Sequence, residues 1–240
     1  LGTGGSLLLL LATCGKEPPF KVRWKRCFQL ASGRSHSLRC CPERLLENKL
    51  PELSIGLYNH LLQPRGSLEA LQDVHFLCCD IDPDLISRAK TGNPFPDSIT
   101  FSSLDIMDPS SLDILQKFLE KFGQARFDIG FCMSITMWIH LNHGDHGLVD
   151  FLKKLTTLCD YLLVEPQPWK CYRSAARRLR KLGRQDFDHF HTLAIRGDMT
   201  EEIINILTRH CNSQLVHRFG NTTWDRSLLL FKNRSTKLPS

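Results

Sequence analysis

Several things are missing from this 240-residue chain. No apolar run approaches the ~20 residues that a membrane-spanning helix needs. The leucine-rich stretch Leu7 to Ala12 is far too short, and it lacks the basic flank of a secretory signal. None of the ten cysteines forms a C-x-x-C pair, so the common zinc and thioredoxin signatures are excluded. Cys78, Cys79 and Cys132 fall in apolar runs and read as buried thiols of a reducing compartment. There is no Walker loop, kinase set, Ser-His-Asp order or HExxH helix. Acids are missing from residues 166–185, whereas bases are abundant there.

The remaining composition is that of a globular protein, 42% hydrophobic and 23% charged, with a net charge of +6. That mild excess points to an acidic partner only where it is clustered. Residues 1–50 show no sustained period; they carry one basic cluster, Lys21 to Arg26, and a possible helix near Pro42 to Leu50. Gly2-Thr3-Gly4-Gly5 follows no strand and lies too far from the next acidic strand end to act as a dinucleotide fingerprint.

From Pro51 strand-like and helix-like segments alternate, which predicts an α/β fold with a mostly parallel sheet and helices on both faces. Helices are expected over Leu53–Leu62 (with Leu53, Leu57 and Leu61 on one face), after Asp82-Pro83, and over 112–122, 148–159 and 172–182. A capping box, Asp198 with Glu201, opens another that runs to Cys211. Strands are expected over 74–79, 99–101, 127–134, 161–164, 215–219 and 227–232, with one antiparallel strand near the C-terminus. The organisation is read as an atypical segment 1–50, a domain 51–235 and a tail 236–240.

In such folds ligands bind beyond the carboxyl ends of the strands. Asp80 at one strand end can accept from a ribose diol, and Asp82 reads as a helix cap. After the next strand, Asp105 can accept from an adenine amino group while Ile106 packs on the ring. The strand from Phe127 runs into Met133 and a loop with Trp138, His140 and Asn142; His140 and Asn142 are expected to face substrate. His140, His143 and His146 with Asp145 invite a metal reading, but supporting ligands are lacking and no metal is expected. The run Tyr161 to Tyr172 ends a strand in Glu165 and continues as Pro166-Gln167-Pro168-Trp169-Lys170. Beyond it Lys170, Arg173, Arg177, Arg180 and Arg184 recur every three or four residues, a stripe suited to phosphates, with Ala175, Ala176, Leu179 and Leu182 opposite.

The blocks Leu77 to Pro83, Phe127 to Leu148, Leu163 to Lys170 and Gly220 to Ser227 closely resemble the Bicoid-interacting-protein-3 family of RNA methyltransferases. The resemblance covers roughly residues 51–235. It implies a class I methyltransferase (Rossmann-like) fold and S-adenosyl-L-methionine as cofactor. The implied reaction is methyl transfer to a 5′-monophosphate oxygen of a small RNA, such as histidine tRNA or microRNA precursors. Cofactor roles are thereby carried to Asp80, Asp105, Ile106 and Met133. His140, Asn142, Gln167 and Lys170 would position the phosphate, and Trp169 would stack on the first base. Glu165 would orient the loop or cofactor. A cytoplasmic monomer is expected. The family's glycine-rich turn of the Leu-Asp-x-Gly-Cys-Asn-Ser-Gly kind has no counterpart; Cys40 to Leu50 stands in its place. Two alternatives stay open: an RNA-binding protein with impaired catalysis, and a metal-dependent phosphohydrolase.

Overall fold

The computed structural model describes residues 8–14, 49–62, 74–221 and 226–234. The stretches Gly2 to Gly5, Lys21 to Arg26 and Cys40 to Glu47, and residues 222–225 of the last family-like block, lie outside the described residues. The chain divides into two compact units, Leu1–Gly130 and Phe131–Ser240.

The first unit contains β1 (Leu8–Cys14), α1 (Lys49–Leu62), β2 (Val74–Asp80), α2 (Pro83–Thr91), β3 (Ile99–Ser103) and α3 (Ser111–Glu120). β4 (Phe127–Met133) leads into the second unit. β2 and β3 pair in parallel, with Asp80 opposite Ser103. A parallel pair buried on both faces needs continuous apolar strands, and Val74, Phe76, Leu77, Cys78 and Cys79 are all buried. Asp82 caps α2 through the N–H groups of Asp84 and Leu85, with Pro83 in the first turn, as its sequence predicts.

One expectation for this unit is corrected. Sequence patterning placed no strand before Pro51, yet Leu8–Cys14 forms β1 and pairs antiparallel with β2, Leu9 opposite Cys79. The signal was easy to miss because Leu9 to Thr13 are all buried, so no alternation of polar and apolar residues is present. α1 contains the helix expected over Leu53–Leu62, and among its described side chains Ser54 and Tyr58 are buried while Leu53 is 43% exposed. The Cys78 thiol donates to Ser54 Oγ at 3.2 Å, and Tyr58 packs on Phe76 and Phe95. Burial pushes the Cys78 thiol up to about 12.

The second unit contains α4 (Thr136–Leu158), β5 (Cys159–Glu165), α5 (Trp169–Lys181), α6 (Met199–Asn205), a π-helical turn (Ile206–His210), β6 (Ser213–Asn221) and β7 (Ser227–Asn233). β7 runs antiparallel to both β5 and β6, the antiparallel strand expected near the C-terminus. Only half of the expected capping box forms. Asp198 accepts from Thr200 and Glu201 N–H groups, but the Glu201 carboxylate pairs with Arg218 on β6 at 2.7 Å.

The larger correction concerns residues 135–147, read from sequence as a loop. From Thr136 they belong to α4, which continues through a break at Gly144 (φ 69°, ψ −172°). The positive φ favours glycine at Gly144, and a Cβ there would also lie 3.1 Å from His189 Nδ1, a contact that the His189 side chain would have to relieve. Among the described residues no helix is long and apolar enough to cross a membrane.

Candidate active site

In the first unit two acids stand on adjacent strand ends. Asp80 closes β2, is buried, and accepts the Asp82 N–H on Oδ1 at 2.9 Å. Its backbone carbonyl accepts the Leu104 N–H at 2.9 Å. Asp105 lies just past β3 and accepts the Met107 N–H at 2.8 Å, and Ile106 beside it is buried. Each carboxylate is therefore held by a local turn, and the parallel register sets the two loops side by side. Asp82 is the cap that the sequence suggested.

In the second unit the loops after β4 and β5 are laced together. Ser134, next after Met133, donates its hydroxyl to Glu165 Oε2 at 2.8 Å. Two residues on, Thr136 Oγ1 donates to Gln167 Oε1 at 2.8 Å, and the Met137 N–H donates to the same oxygen at 3.1 Å. A backbone N–H can only donate, so the amide orientation is fixed, with oxygen facing α4 and the NH₂ group facing away. This contact also caps the first turn of α4 from 30 residues away. Arg226, immediately before β7, donates to Ser134 Oγ at 2.8 Å and to Glu165 Oε2 at 3.2 Å. Ser134 itself has φ 57°, a left-handed conformation unusual for a residue with a side chain.

His140 is fully buried, and both ring nitrogens are engaged. Nε2 lies 2.7 Å from Asp145 Oδ1 and Nδ1 lies 3.1 Å from the Tyr172 hydroxyl. Burial lowers the His140 pKa, the hydrogen bond and charge of Asp145 oppose this, and the net shift is downward. The ring is thus neutral at pH 7, with Nε2–H donating to Asp145 and Nδ1 accepting from Tyr172. Burial raises the Tyr172 pKa, which keeps its hydroxyl protonated as that donor. Asp145 also accepts the N–H groups of Ala194 and Ile195 at 2.8 and 3.0 Å. Burial pushes its carboxyl up, but these bonds and His140 outweigh it and hold the pKa below the ordinary value. His140 therefore ties α4 to α5 and to the 194–195 loop, and neither ring nitrogen is left to meet substrate. Asn142 is exposed and donates to the Trp138 carbonyl at 2.8 Å.

The histidines do not converge. His146 pairs with Asp150 at 2.6 Å, and no group of three metal-ligating side chains comes together among the described residues. Trp169 opens α5 half-buried, stacked on Tyr172 (4.8 Å between centroids) and parallel to Phe190 (6.0 Å). Lys170, Arg173, Arg177 and Arg180 lie exposed along α5. Arg184 is also exposed but lies beyond the helix end at Lys181. Leu182, expected on the apolar side, is 61% exposed. Asp186, just past the acid-free stretch, approaches Arg180 at 3.7 Å. Sequence reasoning missed Ser134, Thr136, Tyr172 and Arg226, whose partners lie 31 to 92 residues away. Arg226 was visible only as part of a family-like block.

Each unit by itself follows the pattern of α/β enzymes, which carry functional side chains on strand-end loops: acids after β2 and β3 in the first, a buried polar lacing after β4 and β5 in the second. Comparison with known proteins narrows that class. The model of Bicoid-interacting protein 3 (Bin3) matches residues 127–233. The pre-miRNA 5′-monophosphate methyltransferase of Xenopus laevis is 66% identical over 182 residues, 75% of this chain and 71% of that protein. The RNA 5′-monophosphate methyltransferase of Homo sapiens is 54% identical over 221 residues, 83% of this chain and 76% of that one. The Danio rerio pre-miRNA 5′-monophosphate methyltransferase is 53% identical over 186 residues, covering 76% and 73%. The chain belongs to the Bicoid-interacting protein 3 family of methyltransferases.

Proposed function

We propose that this protein methylates the 5′-monophosphate of small RNAs, with S-adenosyl-L-methionine as methyl donor. The observation that carries the reading is the fixed Gln167 amide at the head of a basic helix, in a chain 66% identical to a pre-miRNA 5′-monophosphate methyltransferase. Gln167 is 2% exposed and its oxygen is already held, so its NH₂ is the end offered to an anion. Lys170 lies in the first turn of α5, and Arg173, Arg177 and Arg180 continue the positive surface along it. Histidine tRNA and microRNA precursors are the RNAs that the family suggests.

The cofactor fits the first unit's residues. Asp80 is a buried, turn-fixed carboxylate that suits a ribose diol, and Asp105 with buried Ile106 suits an adenine edge and face. When bound, S-adenosyl-L-methionine supplies an electrophilic methyl group on sulfur. A phosphate oxygen is anionic before the reaction begins, so no general base is needed. The protein's own work is to align that oxygen and hold its charge. Gln167 and Lys170 donate to the phosphate, Trp169 offers what remains of its ring to the first base, and α5 holds the following phosphates. His140 acts through Tyr172, keeping the start of α5 in place.

Titrations with S-adenosyl-L-methionine and with a 5′-phosphorylated hairpin RNA test this reading. The protein binds both. Arg177→Glu with Arg180→Glu weakens RNA binding about 30-fold at 0.15 M salt and lowers the salt slope by about 2, with cofactor affinity unchanged. RNA binding without cofactor binding would instead mark an RNA-binding module, and unchanged RNA binding in the double variant would remove α5 from the interface.

A further inference from the structure

Glu165 is the only acid between Tyr161 and Gln185, and every other charged residue in that stretch is a base. It is 3% exposed and stands two residues before Gln167. A buried carboxylate so close to a phosphate-binding amide opposes the binding of a phosphate, and low exposure to water strengthens that opposition. Arg226 answers it. Its guanidinium, always charged, reaches the same Glu165 oxygen that accepts the Ser134 hydroxyl, and it is itself only 21% exposed. Ser134 completes the triangle, donating to Glu165 and accepting from Arg226. The local charge is thereby cancelled, and Ser134 is held in its left-handed backbone conformation.

We infer that Arg226 is a specificity residue: by neutralising Glu165 it lets the Gln167 loop accept an RNA end that carries a phosphate. The inference rests on the 5′-phosphate reading given above. Arg226 acts on RNA through Glu165, as a positioning and charge-cancelling residue that does not itself touch the phosphate. Losing Arg226 alone leaves the Glu165 charge uncancelled beside the phosphate. Losing both charges restores neutrality.

The measurement is fluorescence anisotropy of the full chain with two hairpin RNAs of one sequence, one ending in 5′-monophosphate and the other in 5′-hydroxyl. The quantity read is the ratio of the two dissociation constants. The wild-type protein favours the phosphorylated hairpin. Arg226→Gln lowers that preference roughly tenfold. Arg226→Lys keeps it, Glu165→Gln keeps or raises it, and Glu165→Gln with Arg226→Gln returns it to the wild-type value. Wild-type preference with a double variant as poor as Arg226→Gln would overturn the inference alone, because Arg226 would then be needed for more than its charge. Equal binding of both RNAs by the wild-type protein would overturn the 5′-phosphate reading and this inference with it. Should Arg226→Gln fail to fold, the comparison of the double variant with the wild-type protein still decides, since a preference below the wild-type value in the double variant contradicts charge cancellation.

Discussion

Gln167→Glu is expected to reduce kcat/KM on 5′-phosphorylated RNA by about 100-fold while leaving S-adenosyl-L-methionine affinity unchanged. The substitution is nearly isosteric. One oxygen of the new carboxylate can still accept from Thr136 Oγ1 and the Met137 N–H, so the lacing of the two loops survives. The other oxygen replaces the amide NH₂. A donor to a charged group, worth roughly 1.5–3 kcal/mol, becomes an anion facing an anion. A total near 3 kcal/mol corresponds to about two orders of magnitude in rate. Steady-state kinetics with a labelled methyl donor, alongside cofactor titration, measures both halves. A variant that loses cofactor binding as well would show that Gln167 supports the fold of the site and does not meet the RNA end.

The second large effect is on stability. Asp145→Ala removes the partner of a buried imidazole and the acceptor of two backbone N–H groups. The expected loss is about 3 kcal/mol, or roughly 6–12 °C in Tm for a chain of this size. The same network predicts a sign for pH. The folded-state pKa of His140 lies below its ordinary 6.5, so unfolding takes up a proton once pH falls below that value. Its contribution is complete above pH 6.5 and is lost as pH falls from there toward the folded pKa. Asp145, held below its ordinary 3.8, adds a second loss only in stronger acid. His140→Gln is therefore expected to lower Tm at neutral pH yet flatten the decline between pH 7 and 5. Thermal melts across that range check it, and an unchanged pH dependence would contradict a buried neutral His140.

These two networks also show where sequence reading stops. The elements whose signals are local were legible: the apolar runs of β2 and β5, the Asp82-Pro83 start of α2 and the antiparallel C-terminal strand. The first half of α4 was not, because its cap is Gln167, 30 residues downstream, and no neighbouring residue announces it. β1 escaped because a strand buried along its length carries no alternation. The approach of Asp186 to Arg180 was not visible because Asp186 lies just outside the acid-free stretch. The candidate residues were largely named, but their division of labour was not. The family resemblance gave Gln167 an expected role in positioning a phosphate. Only the geometry shows that its oxygen is already held, that His140 is wholly internal, and that Glu165 is matched by an arginine 61 residues away.

The central claim is that a 5′-terminal phosphate accepts the methyl group. It is tested most directly by incubating the protein with labelled S-adenosyl-L-methionine and two RNAs that differ only in their 5′ end. Label is expected on the 5′-monophosphate RNA and not on the 5′-hydroxyl RNA, and phosphatase treatment of the substrate beforehand removes the signal. Equal labelling of both RNAs would contradict the account.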